Sequence, residues 1–101
     1  MNEAKLCGYG AAPIKTTTLD YFLSLDIHLY NFYGMSETAA TETISWKKRV
    51  WFNKCGQALP GTHIKIDNAD EFGVGEVCFK GWNMFTGYIN NEEGTWAVID
   101  N

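Results

Sequence analysis

Residues 27–33 put apolar side chains on both faces of any strand they form. Ile27, Leu29 and Tyr33 lie on one face with Asn31, and Tyr30 and Phe32 lie on the other with His28. A strand of that kind has to be covered on both sides, which is the position of a strand inside a layered α/β sheet and not of a half-solvated hairpin. Just upstream, Leu19, Phe22 and Leu23 recur at i, i+3 and i+4, the spacing of one short amphipathic helix ending near Ser24 or Leu25. Thr16, Thr17 and Thr18 offer hydroxyls for its N-cap. Before the helix, Gly8-Tyr9-Gly10-Ala11-Ala12-Pro13 is a stretch of small residues that lets backbone come close to something. Pro13 disfavours a helical Ala12, so this stretch is expected to be extended or turning. After the strand comes the polar loop Tyr33-Gly34-Met35-Ser36-Glu37-Thr38. A helix, a buried strand and a glycine-containing loop make a βαβ-type arrangement, in which ligands gather beyond the carboxyl ends of the strands.

The second half reads differently. Ala58-Leu59-Pro60-Gly61 is a turn, residues 62–67 alternate, residues 70–75 are polar with glycine, and residues 76–80 form a further strand. Gly81-Trp82-Asn83 then turns into an extended run over residues 84–89, and residues 95–100 begin a helix. Short strands separated by turn signals predict a β-barrel or antiparallel sheet segment. The expected division is an α/β segment over residues 1–54 and a β-rich segment over residues 55–101.

The 101 residues allow one small domain. With 46% hydrophobic and 15% aromatic residues the chain has too much apolar surface to stay disordered. A net charge of −4 with a single arginine, Arg49, excludes a nucleic-acid footprint, which needs clustered basic residues. The one basic run, Lys47-Lys48-Arg49 beside Trp46, Trp51 and Phe52, reads as a solvated turn with packed aromatics, with a membrane-surface or anion contact as the alternative. Cys7, Cys55 and Cys78 are odd in number and widely spaced, so they read as reduced, mostly packed thiols of an intracellular protein. His28 and His63 lie in alternating runs without a partner at ligand spacing and are expected to be structural. No apolar run approaches the ~20 residues of a membrane span, and the first residues lack the regions of a signal peptide.

On its residues alone the 33–38 loop has two readings. A glycine after a strand gives a ligand access to backbone, and the ring of Tyr33 can stack on a flat base. Ser36 offers a hydroxyl to a phosphate oxygen, and Glu37 offers the hard oxygen that Mg²⁺ prefers. The same six residues also suit a strand-ending turn with a capping serine and an exposed glutamate.

Three stretches in a fixed order tip the balance. Gly10-Ala11-Ala12-Pro13-Ile14, then Phe32-Tyr33-Gly34-Met35-Ser36-Glu37-Thr38, then Gly75-Glu76-Val77-Cys78-Phe79-Lys80-Gly81-Trp82-Asn83-Met84-Phe85-Thr86-Gly87-Tyr88 resemble signatures of the adenylate-forming superfamily. This is the group of acyl-CoA synthetases, peptide-synthetase adenylation domains and luciferases. Cys55-Gly56-Gln57-Ala58-Leu59-Pro60-Gly61-Thr62-His63-Ile64-Lys65-Ile66 sits between them as that family would have it. Asp20-Tyr21-Phe22-Leu23-Ser24-Leu25-Asp26-Ile27 and the Met-Ser-Glu-Thr loop look most like the bubblegum-type long-chain acyl-CoA synthetases. Tyr9 departs from the pattern, standing where the family usually has a small residue.

The resemblance implies part of the large N-terminal domain of that fold, a mixed α/β sheet segment followed by a β-rich one. It also implies a ligase that joins a fatty acid to coenzyme A with ATP and Mg²⁺, through an acyl-adenylate. Tyr33 would stack on adenine, Gly34 would give the ligand backbone access, Ser36 would contact the α-phosphate and Glu37 would help hold the metal. Gly10 and Ala11 would line the nucleotide and acyl pocket, with Met35 near the acyl chain. Ser36 and Glu37 are the catalytic candidates. Gly56, Pro60, Gly61, Gly81 and Gly87 are expected as turn residues, Glu76 as a carboxylate that fixes a strand or loop, and Trp82 and Trp96 as packing. The implied partners are ATP, a fatty acid and coenzyme A. The implied compartment is the cytoplasm, with peripheral contact to the endoplasmic reticulum or another internal membrane as an option.

The family's phosphate loop is expected upstream of this stretch. Its Gly-Trp-x-x-Thr-Gly-Asp segment is expected beyond Asn101, so Asp100 is not its ribose-binding aspartate. The chain is therefore expected to be a piece of a working ligase, inactive alone. The alternative is a short non-catalytic product that binds nucleotide or a partner.

Overall fold

A computed structural model describes residues 3–45 and 53–99. The basic run at 47–49, its flanking aromatics and Asp100 lie outside these residues. Among the described residues six strands and two helices follow one another: β1 (Cys7–Gly10), α1 (Thr16–Ser24), β2 (Leu29–Tyr33), β3 (Thr43–Ile44), β4 (Gln57–Ala58), β5 (His63–Asp67), β6 (Glu76–Lys80) and α2 (Glu92–Val98). A single 3₁₀ turn at Ser36–Thr38 separates β2 from β3.

The first four strands form one mixed sheet in the order β1-β2-β3-β4. β1 runs parallel to β2, with Cys7 opposite Leu29 and Gly10 opposite Phe32. Parallel neighbours need a crossover, and α1 supplies it. β3 pairs antiparallel with β2 and with β4. The first sheet thus runs past residue 54 into β4. β5 and β6 form a separate antiparallel pair, His63 opposite Lys80 and Asp67 opposite Glu76.

The glycines of β1 are required by β2. A Cβ on Gly8 would lie 2.2 Å from Phe32 Cε2, and one on Gly10 would lie 2.6 Å from the Phe32 carbonyl oxygen. A strand without side chains at these positions lets the Phe32 ring lie across Gly8 and the Phe32 backbone come close to Gly10.

Helix α1 forms where the apolar spacing places it, and Leu19 is its buried residue. Its N-cap is Lys15, in extended conformation and without a side-chain cap, so Thr16, Thr17 and Thr18 stand inside the helix and do not cap it. The exit explains a second difference. Asp26 takes a left-handed φ of 56°. Its amide bonds the Leu23 carbonyl at 2.9 Å, and the Ile27 amide bonds the Phe22 carbonyl at 3.0 Å. This is the paired closure of a Schellman motif, with Asp in the place of the usual glycine. It uses up residues 26 and 27, so β2 starts at Leu29 and not at Ile27. His28 lies before the strand, with Nε2 3.6 Å from Asp26 Oδ1.

Residues 84–89 are not a strand; only an isolated bridge joins Tyr88 to Asn91. The final helix also starts earlier than residue 95, because Asn91 caps it by accepting a hydrogen bond from the Gly94 amide at 2.9 Å.

Little of this surface is covered. Leu19 and Tyr30 are the buried apolar residues among those described, while Phe72, Ile89 and Trp82 are at least 82% exposed. Trp82 and Trp96, expected as packing, are both exposed, Trp96 at 60%, and are not packed among the described residues. Cys55 is exposed as well, while Cys7 and Cys78 are partly covered and all three are free thiols. The accessible surface is 8331 Å², whereas a compact monomer of this mass exposes about 5,800 Å². The radius of gyration of 16.2 Å exceeds the ~13 Å of a compact chain of this length. Apolar faces left in water contribute nothing against the ordering entropy of roughly 1.5 kcal/mol per residue. The 101-residue chain by itself is expected to aggregate and to melt without a cooperative transition. Calorimetry on the purified chain checks this, and a sharp transition from a soluble monomer would overturn it.

Candidate functional site

The carboxyl ends of the parallel strands β1 and β2 lie side by side, because Gly10 pairs with Phe32. The residues following each strand therefore emerge at one place. Gly10 and Ala11 stand at the end of β1, both exposed. Ala11 has a left-handed φ of 65°, an uncommon conformation for a residue with a Cβ.

From β2 the chain enters a closed loop. The Glu42 amide returns to the Tyr33 carbonyl at 2.8 Å, and the Ala40 amide reaches the Met35 carbonyl at 3.0 Å. Thr38, 2% exposed, bonds both polar groups of the Met35 backbone through its hydroxyl, donating to the carbonyl at 3.1 Å and accepting from the amide at 3.3 Å. Ala39 and Ala40 both have positive φ, 52° and 94°, each costing about 1 kcal/mol. The loop is so tight that a Cβ on Gly34 would fall 1.6 Å from the Ala40 carbonyl oxygen. The close approach that glycine permits here is that of the loop's own return.

This closure turns Met35 and Ser36 outward and leaves Glu37 half-exposed. Tyr33 is half-buried, its ring 6.1 Å between centroids from Phe79 on β6 and tilted by 37°. The six candidates Gly10, Ala11, Tyr33, Gly34, Met35 and Ser36 thus lie with Glu37 around the ends of two neighbouring strands.

Three residues that sequence reasoning did not single out complete the arrangement. Asn83 donates through Nδ2 to the Thr38 carbonyl at 2.7 Å and also, in a short hydrogen bond, to Glu42 Oε1. Glu42 is fully buried, and its Oε2 has no hydrogen-bond partner among the described residues. Tyr88 donates its hydroxyl to Glu37 Oε1 at 2.6 Å, and the Phe85 amide bonds the Glu37 carbonyl at 2.7 Å. Asn83 and Tyr88 stand in the third motif stretch, so their positions were visible although their contacts were not. Nothing in the local pattern marks Glu42.

The Tyr88 hydroxyl, and then backbone hydrogen bonding, hold the Glu37 carboxyl below its ordinary range, with burial opposing weakly. The same bond to Glu37 raises the Tyr88 phenol, helped by burial and by the carboxylate charge. Glu37 is thus kept ionised and oriented at neutral pH. Tyr9, on β1 opposite Asn31, is raised chiefly by burial and then by Cys55.

A model of the AMP-binding enzyme family matches residues 1–89. Over 100 residues the chain is 43% identical to the long-chain-fatty-acid–CoA ligase ACSBG2 of Gallus gallus, covering 99% of this chain and 13% of that protein. It is 40% identical over 92 residues to the long-chain-fatty-acid–CoA ligase ACSBG1 of Homo sapiens, covering 91% and 13%. The chain thus spans about an eighth of the length of these curated relatives. Among solved structures, o-succinylbenzoate coenzyme A synthetase from Bacillus subtilis, in complex with ATP and magnesium ion, superposes with a TM-score of 0.83 at 22% identity. That match covers 99% of this chain and 24% of the synthetase. A malonyl-CoA ligase with methylmalonyl-CoA and AMP bound gives 0.79 at 26% identity, covering 97% and 22%. The mixed α/β architecture is therefore that of the adenylate-forming fold. With the family match running unbroken through both sheets and the loop that joins them, the chain belongs to the AMP-binding enzymes.

Proposed function

We propose that the chain is part of a long-chain fatty acid–CoA ligase, with residues 1–54 carrying the nucleotide loop and residues 55–101 the β-rich part that braces it. The observation that carries this reading is the grouping of Tyr33, Ser36 and Glu37 beside Gly10 and Ala11, where two parallel strands end. The names of the curated relatives supply the substrate class.

In the first step a fatty acid carboxylate oxygen bonds to the α-phosphorus of ATP. The bond from that phosphorus to its bridging oxygen breaks, giving acyl-adenylate and pyrophosphate. In the second step the sulfur of coenzyme A bonds to the acyl carbon, the bond to AMP breaks, and the thiol proton is lost to solvent. Tyr33 presents a ring edge and face to adenine, Ser36 donates its hydroxyl to an α-phosphate oxygen, and Met35 borders the acyl chain. Positioning and charge neutralisation account for catalysis at such a site.

Glu37 fits a magnesium ion. It is one half-exposed carboxylate with Oε1 engaged by Tyr88. That suits a cation taking one or two carboxylates and completing its shell with phosphate oxygens and water. Bound there, the ion would offset the phosphate charge. No described helix is long and apolar enough to cross a membrane. The compartment proposed for the ligase is the cytoplasm.

Pyrophosphate exchange into ATP tests the reading. In a chain of full family length carrying this segment, exchange is expected to depend on a long-chain fatty acid, and the 101-residue chain alone should give none. Exchange driven only by another class of acid would overturn the substrate assignment. A second reading, a non-catalytic module that binds nucleotide or a partner, draws on the large exposed apolar surface; it predicts nucleotide binding without exchange in every context.

A further inference from the structure

Glu37 is gripped twice by a segment more than forty residues away. Its carbonyl accepts from the Phe85 amide, and its carboxylate accepts from the Tyr88 phenol at 2.6 Å. The phenol is itself fixed. The Tyr88 amide donates to Thr95 Oγ1 at 2.8 Å, Thr95 Oγ1 donates to the Asn91 carbonyl at 2.8 Å, and the Tyr88 ring meets Phe85 edge-on at 4.9 Å. Gly87, at φ 146°, brings its bare Cα against Thr95, where a Cβ would sit 2.7 Å from Thr95 Cγ2. A half-exposed glutamate has three freely rotating bonds, and a charge-assisted hydrogen bond this short removes most of that freedom. It also leaves one oxygen, Oε2, outside the Tyr88 contact.

From this geometry we infer that Tyr88 is a positioning residue for Glu37, setting the carboxylate so that Oε2 faces a divalent cation held with the nucleotide phosphates. The inference rests on the reading of Glu37 given above. Residues that orient a metal ligand from behind contribute about 10- to 100-fold to metal affinity, and Tyr88 is assigned that share here. The docking of the segment is a separate role, carried by Asn83 and by the Phe85 amide.

The test uses a chain of full family length, with Mn²⁺ as the probe and a non-hydrolysable ATP analogue present, read by electron paramagnetic resonance. Tyr88→Phe keeps the ring and loses the hydroxyl; Mn²⁺ affinity is expected to fall about tenfold. Ile89→Ala, next to Tyr88 in sequence but 92% exposed, should leave that affinity within about twofold of the parent. In a Glu37→Gln background Tyr88→Phe should have no further effect, since the residue acts only through that carboxylate. An unchanged affinity in Tyr88→Phe, with Glu37→Gln weakened, would overturn the positioning role alone. An unchanged affinity in Glu37→Gln would overturn it together with the metal assignment of Glu37. Should Tyr88→Phe not fold, 3-fluorotyrosine at this position alters the hydroxyl and keeps the shape; no change in Mn²⁺ affinity there would likewise count against the role.

Discussion

Glu37→Ala, made in a chain of full family length, is expected to lower fatty-acid-dependent adenylate formation by about 100-fold while leaving the fold in place. Both halves follow from where the side chain sits. It is half-exposed at the outer side of the 3₁₀ turn, and its carboxylate bonds Tyr88, itself 39% exposed. Truncating it therefore removes one surface hydrogen bond and no core. The backbone contact survives, because the Phe85 amide bonds the Glu37 carbonyl and not its side chain. On the proposed reading the chemistry loses much more, since the carboxylate helps hold the cation whose charge would offset that of the reacting phosphate. Pyrophosphate release under saturating fatty acid gives the rate, and thermal melting gives the fold. Unaltered adenylate formation in this variant would remove Glu37 from the site.

Gly34→Ala should do the opposite, destroying the loop and with it the binding of any nucleotide. The added methyl would stand 1.6 Å from the Ala40 carbonyl oxygen and 2.6 Å from its carbon. These are backbone atoms, and they cannot shift without breaking the bonds of Ala40 to Met35 and of Glu42 to Tyr33. Overpacking of this kind costs about 3 kcal/mol or more. Gly61→Ala is the control: a Cβ there meets nothing within 4 Å, although its φ of 90° is unfavourable, so about 1 kcal/mol is expected from the backbone alone. Denaturant unfolding of the two variants, each in a chain of full family length, separates the effects, and equal losses would show that the close approach in the loop does not matter.

Much of the local structure was legible. The i, i+3, i+4 spacing fixed α1, alternation fixed β5, and β6 runs from Glu76 to Lys80 as the sequence has it. The Gly-x-Gly of β1 was read as a place of close approach, and the approaching group is Phe32. Boundaries were lost where side-chain chemistry competes at a terminus. Three threonines looked like caps but Lys15 opens the helix, and the left-handed Asp26 delayed β2. Tryptophan at 82 and 96 signalled burial, yet hydrophobicity says only that a side chain leaves water, not what covers it. The supporting contacts of the site were invisible for a different reason. Asn83 to Glu42 spans 41 residues and Tyr88 to Glu37 spans 51, and no periodicity reports a pairing at that range. The family resemblance brought the two motif stretches together by order; only the fold gave the reason they travel together.

The described hydrogen bonds that tie residues 83–88 to the first half all end on residues 37–42, and the ring contact between the sheets is Tyr33 with Phe79. One short loop thus carries these described ties between the two sheets, so a change that opens it would loosen the β5–β6 pair from the parallel strands without touching either sheet's own ladder.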